Sequence, residues 1–118
     1  MSSIRDALAG QTSGANRILV VEGPTYDPAH RRLNHVLADV AEPASIDALH
    51  DALEGQIGDA AIMTPGRPSL VFLKDRECCA VVTCILPSFV RCPAAWDLDA
   101  RLADPVRLTT WLHEHVGA

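Results

Sequence analysis

Two apolar stretches separated by a short polar break occupy residues 69–92 and constrain the fold more than any other part of the sequence. This segment reads SLVFLKDRECCAVVTCILPSFVRC, with KDRE between its two halves. Runs rich in Val, Ile, Phe and Thr around a polar break are typical of a β-hairpin. We therefore predict strands at residues 70–73 and 79–86 at the centre of a small core. Pro87 indicates an edge position or a bulge, with residues 89–91 continuing the strand beyond it.

The other elements follow from local patterns. Residues 17–22 (RILVVE) end at Gly23-Pro24, which predicts a strand followed by a turn. Residues 33–40 fit either a strand or the end of a helix that starts near Asp27-Pro28, and we favour the strand. Helices are predicted after Pro43 and after Asp104-Pro105, and a short strand at residues 60–63. The apolar stripe of the first of these helices consists of Ile46, Leu49, Leu53 and Ile57, and that of the second of Leu108, Trp111 and Leu112.

This order of elements predicts an α+β fold with one mostly antiparallel sheet of about four strands and two helices packed on one face. The other face would stay partly open. Residues 1–16 are predicted to be a flexible N-terminal segment with at most a short helix, because a Ser/Gly/Asn tract follows it. Residues 17–118 would form a single domain, as expected for a chain of 118 residues.

Composition argues against several partners. The net charge is −5, with ten basic and fifteen acidic residues and no basic cluster, so nucleic-acid binding is disfavoured. No apolar run approaches the ~20 residues of a membrane-spanning helix, and the N-terminus does not resemble a signal peptide. We therefore expect a cytoplasmic protein without membrane contact. In that compartment the four cysteines would be free thiols.

The sequence lacks the motifs that bind nucleotides, activate a serine or hold a zinc ion. We therefore expect no cofactor and no metal. We also favour a protein without enzymatic activity over an enzyme. The cysteines lack the paired spacing of a zinc site. Cys78 lies close to Lys74 and Arg76 and is the best candidate for a reactive thiol, which requires a lowered pKa.

Part of the chain resembles a loosely defined group of small bacterial α+β proteins of unknown activity. The resemblance covers residues 40–118 and ends in a Trp…Asp-Ala-x-Leu-x-Asp…Leu-x-x-Trp-Leu pattern. The matching residues are Glu42-Pro43, Ile46, Leu49, Leu53, residues 70–73, Arg91, Trp96, Asp99-Ala100, Leu102, Asp104, Leu108 and Trp111-Leu112. The group carries His-Cys-Met-Cys where this chain has Ala61-Ile62-Met63-Thr64, so no thiol or metal role is implied here.

Three functions are left open. The first is a non-catalytic binding module, an accessory or regulatory subunit that binds a protein partner or a second copy, with Phe89, Arg91 and Trp96 as interface residues. The second is a small enzyme or ligand-binding protein with a pocket between sheet and helices, in which His35, His50, Cys84 and Arg91 converge. The third is a thiol-based sensor that uses Cys78. We favour the first.

Overall fold

A computed structural model describes residues 3–23, 35–63 and 65–116. Within these ranges the chain forms three helices and one seven-stranded sheet in which every pair of neighbouring strands is antiparallel. The helices are α1 (Ile4–Thr12), α2 (Pro43–Ala52) and α3 (Pro105–Val116). The strands are β1 (Arg17–Val21), β2 (Val36–Val40), β3 (Gly55–Ala60), β4 (Ser69–Lys74), β5 (Glu77–Ile85), β6 (Phe89–Arg91) and β7 (Asp99–Leu102). Their order across the sheet is β2-β1-β4-β5-β6-β7-β3.

The α+β class is confirmed, but the prediction of about four strands and two helices is wrong. Strand β3 was missed because Ile57 continues the helical spacing of Ile46, Leu49 and Leu53, although α2 ends at Ala52. Strands β6 and β7 have three and four residues, too short to show an alternating pattern. Residues 61–63, predicted as part of a strand, lie outside any regular element.

The predicted hairpin is present as β4 and β5, joined at Asp75 and Arg76. Asp75 adopts a positive φ of 58°, which aspartate tolerates better than most residues. The Asn16 side chain holds this turn, because its Nδ2 donates to Asp75 Oδ1 at 3.1 Å and its Oδ1 accepts from the Asp75 backbone N–H at 3.0 Å. Strand β2 confirms the strand assignment for residues 36–40, while residues 33 and 34 lie outside the described part of the chain.

All three helices pack on one face of the sheet and enclose the main core. Helix α1 buries Ile4 and Leu8 completely in this core, although its segment was predicted to be flexible. Helix α2 contributes Ile46 and Leu49, and α3 contributes Trp111, whose indole Nε1 donates to the Ser45 carbonyl at 2.8 Å. That bond joins α3 to α2, so the helical layer is held together as well as packed on the sheet.

The opposite face, called the second face below, is not uniformly open. Its half near β1 and β4 holds a separate buried apolar cluster of Leu19, Val21, Val71 and Leu73. Beside this cluster the segment before β4 lies against β5. The Pro68 carbonyl accepts from the Cys84 backbone N–H at 2.9 Å. The half of the second face formed by β6 and β7 carries polar and aromatic side chains instead.

Gly55 has no space for a side chain, whereas Gly10 does. A Cβ at Gly55 would lie 2.2 Å from the Arg101 carbonyl oxygen, while a Cβ at Gly10 in α1 meets nothing within 4 Å. We predict that Gly55→Ala lowers the free energy of unfolding by about 1–3 kcal/mol through overpacking. Gly10→Ala should raise it by about 0.5–1 kcal/mol because alanine favours the helix. Urea denaturation measures both, and equal effects of the two substitutions would contradict the close contact of β3 with β7.

Candidate functional site

A row of polar side chains crosses four neighbouring strands on the second face. The strand register places Ser69 opposite Thr83 and Thr83 opposite Arg91, and Arg91 contacts Asp99 on β7. The Ser69 hydroxyl donates to the Gly23 carbonyl at 2.8 Å and lies 3.1 Å from the Thr83 hydroxyl. Because residues that pair across neighbouring strands point to the same face of a sheet, these four groups form one continuous polar band on the second face.

Arg91 and Asp99 form the strongest interaction of this band. Arg91 Nε donates to Asp99 Oδ1 at 2.7 Å and a terminal guanidinium nitrogen donates to Oδ2 at 2.9 Å, the two-bond geometry that arginine and carboxylate favour. The Asp99 side chain is only 4% exposed and that of Arg91 is 29% exposed. The bond from Arg91 lowers the pKa of the Asp99 carboxyl, opposing the effect of burial, so the carboxylate stays charged.

The same pair holds the segment that precedes β4. Arg91 donates to the Ile62 carbonyl at 2.6 Å, and the Ile62 backbone N–H donates to Asp99 Oδ2 at 2.8 Å. One residue of an irregular segment is thus bonded through both of its backbone groups. Its neighbour Met63 is 96% exposed, so an unbranched apolar side chain projects into solvent beside the ion pair.

Next to the polar band, Phe89 and Arg101 form a second contact between β6 and β7. The two residues lie opposite each other in the strand register, and the Arg101 guanidinium lies 5.1 Å from the centre of the Phe89 ring, within cation–π range. Phe89 is half-buried and Arg101 is exposed. Together with Arg91 and Met63 they form a surface that we call the β6–β7 patch.

The structure separates the three predicted interface residues. Phe89 and Arg91 both belong to the β6–β7 patch. Trp96 does not, because it is only 6% exposed and packs in the main core. Its indole Nε1 has no hydrogen-bond partner among the described residues. An interface role for Trp96 would require the loop after β6 to open.

The four predicted pocket residues do not converge. Cys84 is buried in the main core, whereas Arg91 lies opposite Thr83 and therefore on the second face. His35 is exposed at the start of β2, where its Nδ1 lies 2.7 Å from a Glu22 carboxylate oxygen. His50 lies on α2 with its ring 5.4 Å from that of Phe72, and burial lowers its pKa, so the neutral form is favoured. Four surface clefts lined by described residues contain none of these four side chains.

The cysteines are placed unfavourably for thiol chemistry. Cys78 is exposed, yet burial of its sulfur and the neighbouring Cys79 raise its pKa, the opposite of what an activated thiol needs. Burial raises the pKa of Cys84 to about 12 and also raises that of Cys92. Lys74 and Arg76 near Cys78 in the sequence do not reverse this effect.

Sequence reasoning missed Asp99, Met63 and Arg101 as parts of the site. Asp99 was not identified as a site residue, because β7 was not recognised as a strand. Had β7 been predicted as the partner of β6, the opposite charges eight residues apart would have indicated a cross-strand pair. Met63 gave no signal in the sequence, because a single methionine outside a periodic apolar pattern does not indicate its own exposure.

Comparisons with known proteins add no assignment. No protein-family model, curated protein or solved structure matches this chain. The resemblance to the small bacterial group therefore stays a prediction. In the ranges that the structure describes, no three His, Cys, Asp or Glu side chains come together in a way that could hold a metal ion. Over the same ranges, the helices are too short or too polar to span a bilayer.

We predict that Asp99→Asn destabilises the protein more than Asp39→Asn. Asp99→Asn leaves the partly buried Arg91 guanidinium without its charge partner. We expect this substitution to lower the free energy of unfolding by about 1–3 kcal/mol. Asp39 pairs with Arg17 at a site where both side chains are about half exposed, so solvent screening should keep its cost below about 1 kcal/mol. Urea denaturation at neutral pH measures both, and a larger effect of Asp39→Asn would contradict this role of the buried pair.

The effect of Asp99→Asn on stability should depend on pH. The pKa of Asp99 is lowered in the folded state, so its contribution to stability is complete above the ordinary value of 3.8 and is lost as pH falls through the lowered value. The stability difference between wild type and Asp99→Asn should therefore be constant from pH 7 to pH 5 and shrink below the ordinary value. A difference that grows on acidification would contradict an ionised Asp99.

Thiol reactivity should follow burial. At pH 7 we expect Cys78 to react with Ellman's reagent more slowly than a free model thiol, because its raised pKa leaves less thiolate. Cys84 should react only after unfolding. Rates for wild type, Cys78→Ser and Cys84→Ser assign the signals. A Cys78 rate above that of the model thiol would instead support the sensor hypothesis.

Proposed function

We propose that this chain is a small non-catalytic binding module, an accessory or regulatory subunit that binds a protein through the β6–β7 patch. The observation that carries the proposal is the pair formed by Phe89 and Arg101 beside Arg91 and the exposed Met63. Aromatic residues, arginine and methionine are the types enriched at protein interfaces.

The patch is arranged so that binding would require little ordering. Arg91 is fixed by Asp99 and the Ile62 carbonyl, and the aromatic ring of Phe89 fixes the position of the Arg101 guanidinium. Side chains that are already ordered lose less conformational entropy on association. The fixed arginines and the projecting Met63 together offer a charged and an apolar contact on one surface.

Charge favours a particular kind of partner. The chain carries a net charge of −5, yet the β6–β7 patch exposes Arg101 and part of Arg91, while the carboxylate of Asp99 is buried. A partner that presents a carboxylate next to an apolar side chain would match this local distribution. A second copy of this acidic chain also carries carboxylates, so self-association is the alternative that the same test resolves.

The ligand-binding and sensor alternatives each depend on a predicted feature that the structure does not have. The four side chains expected to line one pocket are spread over opposite faces of the sheet, and the Cys78 pKa is raised. The binding module does not depend on either feature.

The β6–β7 patch can be tested with matched surface substitutions. Met63→Asp and Arg101→Glu change the patch, and Val106→Asp changes another exposed apolar residue, 67% exposed, on α3. We expect native mass spectrometry of the protein purified from its own host to show a second polypeptide or a dimer with wild type and Val106→Asp. The complex should be absent with Met63→Asp and with Arg101→Glu, since both remove contacts that the partner needs.

Circular dichroism melting curves would confirm that all three variants are folded. A complex whose native mass is twice the denatured mass of this chain indicates self-association. A second denatured mass in the same sample indicates a different partner. A protein that is monomeric and free of bound polypeptide, or a complex lost equally with Val106→Asp, would contradict the proposal.

A further inference from the structure

A cleft separate from the β6–β7 patch lies where α3 crosses one end of the sheet. It has a volume of about 300 Å³ and is lined by the side chains Leu37, Pro68, Leu86, Leu112 and Val116 together with Thr109 and three residues discussed below. A volume of this size is at the lower end of the range of small-molecule sites, which are concave and mostly apolar with a few polar groups. The walls come from elements far apart in sequence.

The rim of the cleft carries an uneven distribution of charge. Arg67 and His113 lie on it as basic residues, and Glu22 is the acidic one. The Glu22 carboxylate already makes a local polar contact, because one of its oxygens lies 2.7 Å from His35 Nδ1. Arg67 is exposed and forms no ion pair with any carboxylate in residues 3–23, 35–63 or 65–116. Among the described residues that line the cleft, Arg67 is therefore a cation without a carboxylate partner.

The cleft has distinct ends. In the strand order β2-β1-β4-β5, Leu37 on β2 lies at one side and Leu86 after β5 at the other. Arg67 forms an isolated β-bridge with Ile85, so it lies on the Leu86 side of the cleft. The last turn of α3 lies near β2, because His115 and residues 38–41 line one common depression there. An anion bound at Arg67 would thus lie toward the Leu86 side, whereas the negative end of the α3 dipole, which repels anions, lies toward β2.

From this arrangement we propose that the cleft binds a small apolar carboxylate, with the carboxylate on Arg67 and the hydrocarbon toward Leu37 and Val116. Arginine suits a carboxylate because its planar fork can donate two parallel hydrogen bonds. The apolar walls select a hydrocarbon chain or ring of limited length. The small volume favours a free small molecule over a folded partner, and the site is independent of the proposed protein-binding surface.

Octanoate, octanol and octylamine form a matched set of probes with the same hydrocarbon and a negative, neutral or positive head. Methyl ¹H–¹³C NMR titrations should show saturable shifts of Leu37, Leu86, Leu112 and Val116 with octanoate, with a midpoint on the order of 1 mM for a ligand of this size. Octanol should bind more weakly, and octylamine more weakly still. Absence of saturable shifts, or equal binding of octylamine and octanoate, would overturn the proposal.

Two substitutions test the assignment of the head and the tail. Arg67→Gln should weaken octanoate binding by about threefold to fivefold and leave octanol binding unchanged. Arg76→Gln is the matched control, because Arg76 is an exposed arginine in the turn at the other end of the β4–β5 hairpin. Leu86→Asp should weaken both ligands, because it places a charge in the apolar wall. Equal effects of Arg67→Gln and Arg76→Gln on octanoate would overturn the role of Arg67.

Discussion

The ion pair between Arg91 and Asp99 is the constraint on which the second face of the sheet depends. A carboxylate that is 4% exposed cannot remain charged without a partner, and the guanidinium supplies two bonds to it. The same two side chains bond both backbone groups of Ile62. The pair therefore joins β6, β7 and the segment before β4, in which Met63 is 96% exposed.

The two faces of the sheet differ because different elements cover them. On one face three helices enclose a continuous core that extends from β1 to β7. On the other, an apolar cluster around β1 and β4 gives way at β5 to the polar band and then to Phe89 and Arg101. A chain of 118 residues thereby keeps a stable core on one side and leaves arginine, aromatic and methionine side chains accessible on the other. This asymmetry is the basis on which we propose a binding function.

Long elements with strong patterns could be predicted from the sequence, and short ones could not. The hairpin of β4 and β5, strand β1 and helix α3 have clear apolar runs or stripes, and each was found. Strand β3 has two glycines and one large apolar residue, so neither period nor propensity marks it as a strand. Arg91 was chosen for its residue type, but its partner Asp99 could not be identified because the register of β6 and β7 depends on the whole sheet. Trp96 was expected at the surface, and the turn after Cys92 buries it instead.

Site-specific photocrosslinking in the native host tests the proposed role of the β6–β7 patch most directly. A photoreactive phenylalanine analogue would replace Met63 in one variant and Val106 in another, since both positions are exposed. The account predicts one discrete polypeptide adduct from position 63, none from position 106, and loss of the adduct when Arg101 is also changed to Glu. An adduct that survives the Arg101 change, or crosslinking from position 106 and not from position 63, would contradict binding through this surface.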